Sequence, residues 1–382
     1  METADNNFDD IRPYADAEVP AVIADLLKNK DFMEVLEYIF PKKTTEEIVA
    51  NWQTIKSIHD FQYGISVPTV LSVIRRTSTS IDFCGYEQLQ KNQAYTFISN
   101  HRDIVVDAAV LSTMLAHHGH DTVEIAIGDN LLLRPWVKDL VRLNKSFIVK
   151  RSVEIRQMLE VSMHLSRYIH HTVGERKQSV WIAQREGRAK NSDDHTQESV
   201  IKMLAMGGDS DFLSNIKALN ITPLSISYEY DPCDYLKAKE YQQKRDQADY
   251  KKAYSDDLLN MQTGILTNKG RIWFQIGQPI GQSLEQIPAG LPRNELVKTI
   301  CRVIDREIFR NYHFYPINYI AYDRLWGGNR FAAYYTATDI ATVDNYWQQQ
   351  LAKIDLQDKD LPFLTEKILE MYANPLKNAI SG

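Results

Sequence analysis

The stretch YTFISNHRDIVVDAAVLSTML, residues 95–115, decides how the rest of the chain is read. Its first five residues, Tyr95 to Ser99, are mostly aromatic or β-branched and predict a short strand. From Ile104 the apolar residues Ile104, Val105, Ala108, Leu111 and Met114 recur at helical spacing. A strand that turns into a helix across SNHRD sets His101 at the strand's end, where α/β proteins keep reacting groups. Asp107 falls on or beside the apolar face of that helix, a costly place for a carboxylate without a partner. His101 is the natural partner if it precedes the helix and reaches back, since six residues within one helix would turn the two side chains about 240° apart. The alternative is that Asp103 caps the helix, Asp107 faces solvent and His101 is a loop residue.

The same alternation continues on both sides. Further strands are expected at Thr122 to Ile127, Ser146 to Lys150, Ser179 to Ala183, Thr222 to Ser227 and Arg271 to Ile276, with helical segments between them. That pattern predicts an α/β fold, a parallel or mixed sheet flanked by helices, with N-terminal and C-terminal helical extensions. The expected regions are 1–83, helical; 84–285, the α/β domain; and 286–382, helical again. In the first, Val19, Val22, Ile23, Leu26 and Leu27 share a stripe, and Thr44 with Glu47 forms a capping box. In the last, Leu296, Ile300, Val303, Ile304 and Ile308 share another. Residues 231–260, with KAKEYQQKRDQADYKK, read as a solvated helical excursion remote from function.

Composition removes several classes. The chain has 382 residues, 44% hydrophobic and 25% charged, which suits a folded protein with ample core. Its net charge of −6 gives no global footprint for nucleic acid, so an anion site must be local. Three cysteines, Cys84, Cys233 and Cys301, suggest neither a disulfide framework nor a cysteine zinc site, and fit a reducing cytoplasm. The N-terminus, METADNNFDDIRPYADAE, does not read as a secretory signal. The longest uncharged stretch, Phe61 to Ile74, has 14 residues and is too short to cross a bilayer. No G-x-S-x-G elbow, Walker A loop or G-x-G-x-x-G occurs, which disfavours a serine hydrolase and a nucleotide-binding fold. His117, His118 and His120 read as a polar helix end with Gly119 as its cap, so no metal is expected.

Three other stretches carry chemistry-bearing residues. LNKSFIVKR, 143–151, is a strand with Lys145, Lys150 and Arg151 and no acid among them. WIAQREGRAKNSDD, 181–194, runs from a strand into Arg185, Glu186, Gly187, Arg188 and Lys190. Arg offers a planar fork to an oxyanion, Lys a point charge, and Gly187 permits a close backbone approach. NITPLSISYEYDP, 220–232, is a strand opening with Pro223.

Together the four resemble the phospholipid and glycerol acyltransferase family, whose blocks are a His…Asp pair, a Gly-containing strand ending in Arg, an EGxR segment and a strand with a leading Pro. The resemblance covers about half the chain, from the His101 turn to GRIWFQIGQPI at 270–280, and is strongest for the glycerol-3-phosphate or 1-acylglycerol-3-phosphate acyltransferase type. It implies transfer of a fatty acyl group from acyl-CoA or acyl-carrier protein to a glycerol-phosphate hydroxyl in phospholipid synthesis, with no other cofactor. His101 would be the base, Asp107 its partner, and Lys150, Arg151, Glu186, Gly187, Arg188 and Lys190 the acceptor site. Three positions depart from the family. Five residues separate His101 from Asp107 where the family has four, Lys145 stands where the family has Gly, and Ala189 where it has Arg. They keep open another lipid acceptor, or a lipid-binding protein that retains the fold without catalysis. The implied partners are an acyl thioester and a phosphate-bearing lipid. The chain is expected in the cytoplasm, with peripheral contact to the inner face of the membrane open. FQYGISVPTVLSVIRR, 61–76, is either the docking segment or a core helix.

Overall fold

The computed structural model describes residues 7–40, 42–151 and 153–381. Seven strands form one sheet: β1 (Ser80–Cys84), β2 (Thr96–Ser99), β3 (Glu124–Gly128), β4 (Ser146–Val149), β5 (Val180–Ala183), β6 (Ile221–Tyr228) and β7 (Arg271–Ile276). Their spatial order is β1-β7-β6-β2-β5-β3-β4. Every pairing is parallel except β6 with β7. The α/β class and the mixed sheet therefore stand. The expected strands overlap β2 to β7; β1 begins before the boundary at 84 and was not foreseen.

Helices of eight or more residues are numbered α1 (Val19–Leu26), α2 (Lys30–Ile39), α3 (Thr45–Gln53), α4 (Val67–Thr77), α5 (Val106–His117), α6 (Pro135–Leu143), α7 (Met158–Gly174), α8 (Asp234–Asp246), α9 (Tyr254–Leu266), α10 (Arg293–Arg310), α11 (Pro316–Trp326), α12 (Ala337–Lys353) and α13 (Leu361–Ser381). β2 and β6 are buried on both faces, and polar residues within them are bonded to the backbone: the Thr96 hydroxyl donates to the Leu219 carbonyl at 2.7 Å and the Ser225 hydroxyl to the Ile308 carbonyl at 2.7 Å. One face of the sheet packs on α7 and α10 through Phe147, Tyr168, Ile169, Ile300 and Ile304. The other packs on α5, with Ile74 of α4, through Phe97, Val110, Leu111 and Phe274. Two separate clusters complete the interior: one under α1 to α3, around Phe32 and Trp52, and one among α11 to α13, around Trp347 and Tyr372. The capping box at Thr44 and Glu47 starts α3, and Gly119, with φ of +76°, follows the end of α5.

The segment 61–76 is neither wholly core nor a free surface. Ile74 is buried and Val67, Val70 and Leu71 are half-buried, packed between α5 and α9. Among the described residues, no helix is long and apolar enough to cross a membrane.

Candidate active site

β2 is flanked by β5 and β6, and its exit is fixed by side chains. The Asn100 amide donates to the Ile226 carbonyl at 2.8 Å and accepts the Ile226 N–H at 2.9 Å, so it acts as an extra rung of the ladder. The next residue, His101, therefore leaves the sheet at a set point. Trp181 of β5 presents its ring edge-on to the imidazole at 5.4 Å, while its Nε1–H donates to Ser99 Oγ at 2.9 Å.

His101 Nδ1 lies 2.8 Å from Asp107 Oδ2, and Asp107 is fully buried at the start of α5. The same oxygen accepts the N–H groups of Arg102 at 2.6 Å and Asp103 at 3.0 Å, while Oδ1 accepts the Tyr228 hydroxyl at 2.8 Å. Burial pushes the Asp107 carboxyl up, but the bonds from His101, the Asp103 N–H and Tyr228 outweigh it and hold the group below the usual carboxylate range. Asp103 caps the helix: Oδ1 accepts the N–H groups of Val105 at 2.9 Å and Val106 at 2.8 Å. Burial, then the charge of Asp107, pushes the Asp103 carboxyl upward. Both acids are thus engaged, Asp107 with the histidine and Asp103 with the backbone. The additional residue between His101 and Asp107 is absorbed in the turn before α5 begins at Val106.

The cations separate. Arg151, just past β4, donates its N–H to Asp129 at 3.1 Å and faces Glu186 at 3.8 Å. Gly187 has φ of +65°, the left-handed conformation that favours glycine. Arg188 donates through Nη2 to Asn260 of α9 at 3.2 Å, and its Nη1 is buried without a protein partner. The buried Nε of Arg185, just past β5, is also without one. Lys150 is not brought to this group. It pairs with Asp10 of the N-terminal segment, because consecutive side chains of an extended strand end point to opposite faces. Lys190 is likewise engaged elsewhere, with Glu240 of α8, and burial lowers its pKa to about 8. Lys145 lies at the amino end of β4, bonded to Asp121 at 3.0 Å and Gln178 at 3.1 Å, so it cannot meet a ligand at the carboxyl end. Its φ of +55° accounts for a glycine being suited to that position.

The reading of residues 231–260 as a solvated excursion holds for 244–249, which are exposed, and is overturned for 231–242. Lys237, Glu240 and Gln242 of α8 are buried, as is Asn260 of α9, which accepts from Arg188; beyond that stretch, Gly264 of α9 abuts the Asp103 carboxylate. Charged letters look alike whether solvated or paired in the interior. Tyr228 and Asn100 also went unrecognised as site residues; the Tyr in PLSISYEY was visible, but nothing local marks its partner. Among the described residues, no cluster of His, Cys, Asp or Glu has an arrangement suited to a metal ion.

The family profile described as Acyltransferase matches residues 80–222, from β1 into β6. Among solved structures, the 1-acyl-sn-glycerophosphate (LPA) acyltransferase of Thermotoga maritima is similar at 10% identity and a TM-score of 0.35, over 74% of this chain and 92% of that one. No curated protein matches the sequence.

Proposed function

Residues 80–222 belong to the acyltransferase family and make this chain an acyltransferase; on that premise we propose that it moves a fatty acyl group from a thioester to a hydroxyl of a glycerol-phosphate-type lipid acceptor. The observation that carries the reading is the pairing of His101 Nδ1 with the buried Asp107 carboxylate, which leaves Nε2 as the basic atom. Nε2 takes the acceptor's hydroxyl proton as that oxygen attacks the thioester carbonyl. Collapse of the tetrahedral intermediate breaks the C–S bond, and the imidazolium returns the proton to the departing thiolate. Asp107 keeps the proton on Nδ1 and stabilises the imidazolium without itself becoming protonated. No covalent acyl-enzyme is required.

Arg151 and Arg188 are the cations we assign to the acceptor's phosphate, with Arg185 added on account of its unpartnered buried Nε. Glu186 is suited to orient Arg151 or to accept an acceptor hydroxyl, and Gly187 to let the acceptor approach the backbone. The thioester is acyl-CoA or acyl-carrier protein, and no other cofactor enters the scheme. A lipid acceptor also favours a peripheral position on the inner face of the membrane. One surface suited to it is the outer side of α9, where Leu258, Leu259 and Leu266 are exposed; α4, which packs on α9, carries the exposed Arg75 and Arg76.

The test is thiol release from a panel of acyl thioesters with glycerol-3-phosphate, 1-acylglycerol-3-phosphate and phosphate-free acceptors. His101→Ala should lower kcat by about 10²–10⁴-fold with the fold intact. Near-native turnover in that variant would remove the mechanism, and equal use of phosphate-free acceptors would remove the acceptor class.

A further inference from the structure

Arg102, the residue after His101, is contacted through both its backbone and its side chain. Its N–H is bound by Asp107 at 2.6 Å, and its carbonyl accepts the Lys237 ammonium at 3.4 Å. Its guanidinium Nη1 stands 2.9 Å from Asp194 Oδ2, a charge contact without hydrogen-bond alignment, and the guanidinium carbon lies 5.8 Å from the centre of the Tyr312 ring. Lys237 pairs in turn with Asp231, and all four charged side chains are buried. The chain of contacts continues outward. The Asp231 N–H donates to the Tyr372 hydroxyl at 3.0 Å, and that hydroxyl donates to Asp234 at 2.8 Å. Lys237 is on α8 and Tyr372 on α13, both outside the stretch 80–222 that carries the family match.

Two buried ion pairs are a poor way to gain stability, because desolvation of the charges offsets most of their attraction. What they do supply here is geometry. The peptide groups on both sides of Arg102 are tied, one by Asp107 and one by Lys237, which restrains the backbone that bears the imidazole.

We infer that Arg102, Asp194 and Lys237 are positioning residues that set His101 against the reacting carbonyl, and that Lys237 ties this setting to the C-terminal helices. The inference rests on the reading of His101 as base. Releasing either pair lets the His101 backbone drift, and a displacement of about 1 Å is enough to cost on the order of 100-fold in rate.

The experiment compares Arg102→Met, Asp194→Asn and their double variant, and likewise Lys237→Met with Asp231→Asn. Each single variant strands a buried charge and loses stability; each double variant should recover it. The double variants should nevertheless stay slower by roughly 10–100-fold in kcat per folded molecule, with both KM values within about twofold. Near-native kcat in the doubles, a loss equal to the unfolded fraction, or a change confined to KM would each overturn the inference. Should a double fail to fold, Arg102→Lys carries the test, since it keeps the charge and removes the planar guanidinium that lies over the Tyr312 ring. It should lower kcat by about fivefold or more without lowering Tm, and unchanged turnover overturns the inference. His101→Ala, measured alongside, separates the two claims. If it stays active the base reading falls; if it is inactive while the doubles are near native, only the positioning role falls.

Discussion

Gly264→Ala tests the join between α9 and the turn that carries His101. A Cβ at Gly264 would stand 1.8 Å from Asp103 Oδ2 and 2.8 Å from its Cγ. Non-bonded carbon and oxygen need about 3 Å or more, so over an ångström must be found. Either α9 backs away or the Asp103 side chain rotates and gives up its bonds to the N–H groups of Val105 and Val106. Overpacking costs typically 1–3 kcal/mol and a lost cap about 1 kcal/mol, against a gain of about 1 kcal/mol from alanine's helix propensity. The expected net is a destabilisation of roughly 1–3 kcal/mol in urea unfolding. Turnover should suffer more, by ~10–100-fold in kcat, because Asp103 and Asp107 share the turn that carries His101. Gly174→Ala at the end of α7 is the control, since its Cβ would meet nothing within 4 Å. Thiol release and urea titration of both variants decide the matter. A Gly264→Ala protein as stable and active as the parent would refute the close approach on which the reasoning depends.

Asp107→Asn should approach the loss seen with His101→Ala, because an amide cannot stabilise the imidazolium, whereas Asp103→Asn should be mild, since its Oδ1 retains both cap bonds. Initial rates for the two variants give the comparison, and a reversal of their order would exchange the roles. Arg151→Gln and Arg188→Gln should each raise the acceptor KM by about tenfold or more with the thioester KM little changed; an effect only on the thioester would move these cations to the donor. Burial pushes Asp234 up to about 7, so between about pH 4 and 7 the folded state holds a proton that the unfolded state has lost. Stability should therefore fall as pH rises through that window, by at most ~1.4 kcal/mol per unit, and level off above it; Asp234→Asn should remove the slope in denaturation measured at each pH. Paired Leu258→Glu and Leu259→Glu substitutions should reduce sedimentation with anionic vesicles and leave Tm unchanged, and undiminished binding would clear α9 of membrane contact.

How much of this was legible depends on the range of the signal. β2, its turn and α5 are contiguous, so propensity and periodicity expose them, and with them His101, Asp103 and Asp107. β1 was missed because SIDFC is short, lies at the sheet edge and contains a charged residue. The antiparallel β7 looked like any other strand, since direction is set by partners and not by composition. Lys150 and Arg151 appeared as a pair, although alternation along an extended segment already forbids both from facing one site. The Tyr228–Asp107 bond spans 121 residues and the Lys237–Arg102 contact 135, and no local pattern announces either.

The pairing of β1 bears on how far the catalytic unit can be transplanted. β1 opens the family-matched stretch, yet its ladder partner is β7, which lies beyond residue 222. Excising 80–222 as a portable module would strip β1 of its hydrogen bonds, cut β6 after its second residue and discard Tyr228. The minimal transferable unit must run at least to Ile276, so residues 229–270, with α8 and α9 among them, have to travel with it.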